Sequence, residues 1–391
     1  MATLPLASAT RAAAFCHRSG LASSSSVPSA RRYAHDLVIK RKTGLPIQRA
    51  GPIGGGRSAV SGHVATVFGC TGFLGRYLVD KLGQKGTQVI VPYRDEDEKR
   101  HLKPLGDLGQ IVPLEWDLKN DDQIRECLRH SDVVYNLTGR NYETKNFTFN
   151  DVHATGAARI AAIAADAGVS RFIHVSHLNA REDSPSKFLR SKAEGEKLVK
   201  QAFDGATIVR PGSLYGHEDR FLNQMARWPI TWHVNYGRTK LRPTHSIDLA
   251  RALELMMDAE VTSTGATFSL GGPKTYTITE LLTLVESLTF EKTLRPGLNV
   301  PHWALRLAAS ITDKAAWWGM LSADEVDRRM VDDLPDEAGT KSWADLGMTP
   351  DKIEDVAIVY LRRYRSHLRF EQPVETSGTP LRKNGRYHVV D

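Results

Sequence analysis

The sequence predicts an α/β fold: a Rossmann-like, doubly wound parallel sheet with a smaller, mixed but mainly helical C-terminal domain. Three observations predict it. Apolar runs of strand length alternate with helical stretches through the first half of the chain. Runs such as VVYNL and FIHVS lack the polar alternation of a half-solvated strand, as expected of strands covered on both faces. The first run, VATVF at 64–68, passes directly into GCTGFLG and an amphipathic segment. Glycines at Gly69, Gly72 and Gly75 allow a tight turn, close approach of backbone to a pyrophosphate, and close contact of helix with strand. Phosphates then sit on the unpaired N–H groups of the helix start, beside Thr71, Phe73 and Leu74. Glycine spacing alone recurs by chance; its place between strand and helix makes it a nucleotide signal.

Taken in order, strands are expected at 64–68, 87–92, 110–114, 133–136, 171–176 and 207–210. Helices fall between them at 72–84, 121–129, 150–167 and 186–202. This core spans residues 60–210. Beyond it the alternation breaks down. Helices are expected at 246–258, 279–287, 301–311 and 322–330, with a strand-like piece at 266–270. Residues 211–370 are therefore assigned to the small domain, interleaved with the core, with the later helices and 261–273 facing the glycine loop across a cleft. Residues 34–59 form an arm rich in Lys, Arg, Pro and Gly that shows no helical or strand period. The tail, 371–391, is expected to be extended.

The chain has 391 residues, enough for one large or two modest domains, and carries no apolar run of the roughly 18 residues needed to span a bilayer. Cys16, Cys70 and Cys127 have no metal-ligand spacing and suggest a reducing compartment. The formal charge is +7, but residues 1–33 hold Arg11, Arg18, Arg31 and Arg32 with no acid and many Ser and Ala. That is the composition of a mitochondrial transit peptide, with processing near Tyr33–Ala34. Without it the remainder carries only +3, so the basic balance does not argue for a nucleic-acid partner.

The second strand ends VIVPYRDEDE. An NAD-selective site places an Asp or Glu about 20 residues past the glycines, to accept bonds from the ribose hydroxyls. Here the long side chain best placed is Arg94, and Arg76 follows Gly75 directly. Guanidinium groups pair with phosphate oxygens bidentately, so the pair suits the 2′-phosphate of NADP(H). The competing expectation is that both arginines face solvent. Asp117 and Leu118 flank the adenine. Asn136, Leu137, Thr138 and Gly139 pass under the nicotinamide ribose, and Asn150 is a helix cap or ribose contact; buried structural amides are the alternative for both asparagines. His245 and Asp248 invite a His–Asp reading, though capping by Thr244 or Ser246 explains the polarity more simply. No HExxH-type spacing is present, so no metal is expected. Trp303, Trp317 and Trp318, near Leu305, Leu307 and Met320, fill a small-domain core or form a docking surface.

GCTGFLG, NLTG, RFIHVS, RPGSLYG and HSIDLA together resemble the extended, atypical branch of the short-chain dehydrogenase/reductase family over roughly residues 60–370. With the leader, they are most similar to its branch of NADPH-binding accessory subunits of respiratory complex I, of fungal type. The resemblance implies NADPH as cofactor, with Ser176, Lys192 and Pro211 also at the site. It implies other subunits of complex I as partners, and a place on the matrix side of the inner membrane near the quinone region, with peripheral membrane association and lipid contacts. The family's enzymes carry a Tyr-xxx-Lys pair in which Tyr moves the substrate proton and Lys holds the nicotinamide ribose. The matching stretch here is FLRSK: Lys192 is present, and Phe188 stands in the tyrosine's place. Phenylalanine has no ionisable proton, so a contribution of about 10²–10⁴-fold is missing. The resemblance thus implies a bound, unreacting nucleotide. The alternative is an active matrix reductase with His177 or Tyr142 as substitute donor.

Overall fold

The computed structural model describes residues 59–227, 232–258, 263–290, 298–315, 322–333, 339–367 and 370, with strand backbone at 37–39 and 46–48. The leader 1–33, most of the arm, the tail 371–391, and Cys16, Trp317, Trp318 and Met320 lie outside the described residues. Within the arm, Leu37–Ile39 pairs antiparallel with Pro46–Gln48, where the sequence shows no strand period. Three-residue strands are too short for a two-residue alternation to register.

Seven parallel strands form one sheet: β1 (Val64–Phe68), β2 (Gln88–Tyr93), β3 (Ile111–Glu115), β4 (Val133–Asn136), β5 (Arg171–Val175), β6 (Thr207–Pro211) and β7 (Thr267–Leu270). Their spatial order is β3-β2-β1-β4-β5-β6-β7. The order reverses between β1 and β4, the switch point outside whose carboxyl ends doubly wound sheets bind ligands. The helices are α1 (Phe73–Gln84), α2 (Asp121–Leu128), α3 (Gly156–Asp166), α4 (Lys187–Ala202), α5 (Phe221–Arg227), α6 (Ser246–Asp258), α7 (Ile278–Thr289), α8 (His302–Ala315), α9 (Ala323–Arg328) and α10 (Ile353–Leu361).

On one face, Leu78 and Leu82 of α1 meet Leu249, Leu253 and Met256 of α6 over Val67 and Val89. On the other, Ile124, Ile160 and Val199 of α2, α3 and α4 cover Phe68, Val134 and Phe172. Each such side chain removed from water contributes about 1.5–3 kcal/mol. Both faces of the sheet are therefore dry, which is why its strands lack polar alternation.

The piece at 267–270 is not part of the small domain. It registers on β6 from Thr267↔Ile208 to Leu270↔Pro211. β6, α6 and β7 thus make one more strand–helix–strand unit, hidden in the sequence because small-domain residues are inserted between β6 and α6. The outer edge of β7 is closed by Lys341, whose N–H donates to Thr267 O at 2.9 Å and whose O accepts from Ser269 N at 2.8 Å. A separate cluster joins Leu222, Leu281, Val285, Ala357 and Leu361 of α5, α7 and α10. α8 and α9 pack together through Ala309 and Val326 on Val234.

Candidate nucleotide-binding site

β1 delivers the chain to Gly69, whose φ of +80° favours glycine strongly. A Cβ there would lie 2.9 Å from the carbonyl of Leu137, so the glycine loop rests directly on the NLTG loop after β4. Gly75 is tighter still: a Cβ would stand 2.4 Å from Gly69 O and 2.5 Å from Cys70 Cα. Gly72 N donates to Gly69 O at 3.1 Å and Gly72 forms the N-cap of α1. No side chain caps that helix and its first turn holds no acid. The N–H groups of Phe73, Leu74 and Gly75 therefore stay open to an anion, backed by the helix dipole. Gly72 is exposed and Thr71 half-buried at the loop's tip, Leu74 is buried, and Phe73 packs edge-on to Tyr77.

At the adenosine end the two arginines differ. Arg76 is ion-paired with Glu218. Arg94 is exposed just past β2 and carries no hydrogen bond or ion pair among the described residues. Lys99, beside it, lies 4.2 Å from the centre of the Tyr93 ring and donates to Tyr93 OH at 3.1 Å. Lys99 is itself ion-paired with Glu96 at 2.5 Å, so its charge is already matched. Asp117 is exposed and accepts from Lys119 N at 2.7 Å, while Leu118 is wedged against Gly156 at the start of α3.

The residues expected at the nicotinamide end lie close together. Asn136 is fully buried; its Oδ1 accepts from Thr138 N at 3.1 Å and Thr138 Oγ1 at 2.6 Å, which shapes NLTG. Among the described residues its Nδ2 has no partner, nor has the buried Ser176 Oγ. Such orphaned groups cost stability unless a ligand or water satisfies them. Lys192 is 6% exposed, so it is not a surface lysine. Its Nζ donates to Val175 O at 3.3 Å and lies 3.4 Å from where a Cβ on Gly139 would be. Burial lowers its pKa to about 8, with Glu196 opposing. Pro211 O accepts from Leu178 N at the end of β6. An open cradle of helix N–H groups, an exposed Arg94 with no partner among the described residues, two orphaned polar groups and a buried ammonium fit a dinucleotide laid across the β1–β4 switch point. Asn150 belongs to none of this: it is exposed and helical, and its side chain caps nothing.

The place of the proton-transfer tyrosine is closed. Phe188 is 6% exposed, with its ring edge-on to His153 at 5.0 Å, Phe149 at 5.8 Å and His177 at 6.1 Å. The Arg328 guanidinium lies 4.7 Å from the Phe188 ring centre. α9 is held there by Asp324, whose Oδ2 accepts from Ser186 Oγ at 2.9 Å and Phe188 N at 3.3 Å at the start of α4. His177 does not replace the tyrosine. Its Nδ1 accepts from Asn179 N, and burial, with the charges of Arg328 and Lys192, lowers its pKa to about 3. A ring that stays neutral at pH 7 is a poor proton donor. Tyr142 carries the Arg140 guanidinium 5.2 Å from its ring centre.

His245 and Asp248 act as a clasp. His245 Nε2 is 2.7 Å from Tyr360 OH, its ring stacks on Tyr215, and Asp248 Oδ2 accepts from Asp351 N at 2.8 Å. Ligand atoms of His245, Asp248 and Asp351 fall within 4.8 Å of one another, but these bonds already tie α6 to the small domain. Neither residue caps as expected: Thr244 Oγ1 donates to Leu270 O, and Ser246 Oγ is buried with no partner among the described residues. Trp303 is 71% exposed and so is not core, whereas Leu305 packs beside Ala309.

Residues 69–225 match a family model described as NAD(P)H-binding. The chain is 45% identical over 346 residues, 88% of its length and 90% of the other's, to the mitochondrial NADH-ubiquinone oxidoreductase 40 kDa subunit of Neurospora crassa. It is 42% identical to the mouse mitochondrial NADH dehydrogenase [ubiquinone] 1 alpha subcomplex subunit 9, over 82% of this chain and 85% of that one. Among solved structures, an Escherichia coli NADPH-dependent quinone oxidoreductase complexed with NADPH shares the fold at a TM-score of 0.58. The match covers 76% of this chain and 99% of that one at 18% identity.

Proposed function

This chain belongs to the family of the mitochondrial NADH-ubiquinone oxidoreductase 40 kDa and alpha-subcomplex-9 subunits, and from that premise we propose that it is a non-catalytic accessory subunit of respiratory complex I that holds NADPH as a structural ligand. One observation carries the proposal: an intact dinucleotide cradle is joined to a sealed proton-transfer position, with Phe188 buried under Arg328. Asn136, Thr138, Gly139, Ser176 and Lys192 hold the nicotinamide ribose side. The α1 N-terminus holds the pyrophosphate, and Arg94 the 2′-phosphate, with Arg76 committed to Glu218 unless the nucleotide displaces it. When bound, NADPH supplies a hydride donor; these residues bind and orient it, and none is placed to hand a proton to a substrate above it. Because the nucleotide binds only the folded chain, occupancy at a hundredfold excess over Kd adds about 2.7 kcal/mol of stability.

Membership of that mitochondrial family supports association with other complex I subunits, and we extend this reading to a position on the matrix side of the inner membrane. The exposed stripe Trp303, Leu307 and Ile311, on one face of α8 with Arg306 beside it, supports peripheral contact with lipid. Among the described residues no helix is long and apolar enough to cross a membrane. The test of the non-catalytic reading is turnover of NADPH bound to the isolated, intact complex. NADPH that persists through steady-state respiration supports the proposal. Substrate-dependent oxidation at this subunit overturns it in favour of an active reductase.

A further inference from the structure

His153 is absent from every motif above, yet the fold spends an unusual element on it. The chain enters α3 through a single π-helical turn, Asp151–Thr155, and His153 sits in that turn with its side chain fully buried. π-turns widen a helix locally and are frequent at functional sites. The turn is pressed against α4: a Cβ on Gly195 would stand 2.1 Å from His153 O, so only glycine admits this approach. The ring bridges two segments of the nucleotide site. Its Nε2 accepts from Arg140 N at 3.0 Å, the amide just after Gly139. Its Nδ1 lies 2.9 Å from Ser191 Oγ, and Ser191 Oγ in turn donates to Phe188 O at 2.8 Å.

These bonds select one protonation state. Nε2 receives a backbone N–H and must carry no proton. Ser191 spends its own proton on Phe188 O and must receive one from Nδ1–H. The ring is therefore neutral with its proton on Nδ1, and burial next to Lys192 pushes its pKa well below the ordinary imidazole value in the same direction. Phe188 suits this arrangement, because a side chain without a hydroxyl does not compete for the Nδ1 proton 5.0 Å away between ring centres.

We infer that His153 is a positioning residue for the nicotinamide ribose: it locks the Gly139–Arg140 backbone to the helix that carries Lys192, so that loop and ammonium present one rigid surface. The inference rests on the nucleotide reading above. It predicts a split between the two halves of the ligand, since His153 does not touch the glycine loop or Arg94.

The test titrates the full-length chain with NADPH and, separately, with adenosine 2′,5′-bisphosphate, which has the 2′-phosphate half but no nicotinamide ribose. Replacing His153 by Phe keeps the buried ring and removes both bonds. The expected result is NADPH affinity weakened about tenfold, with adenosine 2′,5′-bisphosphate affinity within about twofold of wild type. Retained binding of the half-ligand also shows that the variant is folded. His153→Gln, which carries one acceptor and one donor, recovers part of the lost NADPH affinity. Equal losses for both ligands, no loss in the Phe variant, or a Gln variant no better than Phe would each overturn the role of His153. A wild-type chain that binds neither ligand would instead overturn the nucleotide reading beneath it.

Discussion

Gly75→Ala is the most direct perturbation of the nucleotide cradle. The added carbon would stand 2.4 Å from Gly69 O, and close C···O contacts begin at about 3.3 Å, so the loop and α1 must separate by roughly 1 Å. The helix itself gains, because Ala is favoured over Gly in a helix interior by about 1 kcal/mol. Overpacking costs about 1–3 kcal/mol, so the net change in the unliganded chain is roughly 0–2 kcal/mol. Nucleotide binding has no such offset, since the N–H groups of Phe73 to Gly75 no longer converge with the Gly69 turn. Saturation at a hundredfold excess of NADPH adds about 2.7 kcal/mol. With unfolding entropy near 2.1 cal/mol/K per residue and a cooperative unit of roughly 300 residues, that is a rise in Tm of about 4 °C. Thermal unfolding with and without NADPH is the assay. The wild-type chain is expected to show the rise and Gly75→Ala to lose it, while its unliganded Tm moves by no more than about 3 °C. An undiminished rise in the variant would refute the claim that this close approach builds the phosphate site.

Arg94→Ala removes an exposed guanidinium that has no partner among the described residues, so its effect is expected on ligand alone. NADPH binding should weaken about tenfold or more, and NADH binding should not change; equal losses in equilibrium titrations would show that Arg94 does not read the 2′-phosphate. Lys192 has a folded pKa of about 8, below its unfolded value near 10.4, so between these the unfolded chain binds more protons and stability must rise with pH. In denaturant titrations of the unliganded chain from pH 7 to 10, Lys192→Met should lack that rising component. Identical pH profiles would mean that Lys192 is not desolvated. Leu307→Asp places a charge in the exposed stripe of α8, and binding of the full-length chain to cardiolipin-containing vesicles should weaken about tenfold, the worth of one buried leucine. Unchanged partition would exclude α8 as the lipid-facing element.

The nucleotide half of the protein was readable because its signals are local. A strand, three glycines and a helix follow one another without interruption, and β1 and β4 occupy the predicted residues. The other five predicted strands shift by a residue or so, as hydrogen-bonded ends do. Lys192 was found because a motif spacing points to it, although only packing shows that it is buried rather than solvated. β7 was misassigned because its partner β6 lies more than fifty residues earlier, and small-domain segments interrupt the pattern between them. Asn150 looked like a cap because polar residues before helices often are, but its own backbone is already helical, so it lies inside the helix and its side chain caps nothing.

Composition and order along the chain determined the sheet, the glycine loop and the cation in place of an acid after β2, and the resemblance to the dehydrogenase/reductase family identified the phenylalanine in place of a tyrosine. The first three are properties of single residues and short spacings and point to a bound dinucleotide; the resemblance adds that its proton donor is missing. The tertiary structure alone decided that Arg76 is taken by Glu218 while Arg94 has no partner among the described residues, and that α9 covers Phe188 with Arg328. It alone brought His153 between Arg140 and Ser191. The physical reason is the same in each case. Whether a charge is available, a ring covered or an imidazole bridging depends on groups tens to more than a hundred residues away, and only the closed fold brings those groups within bonding distance.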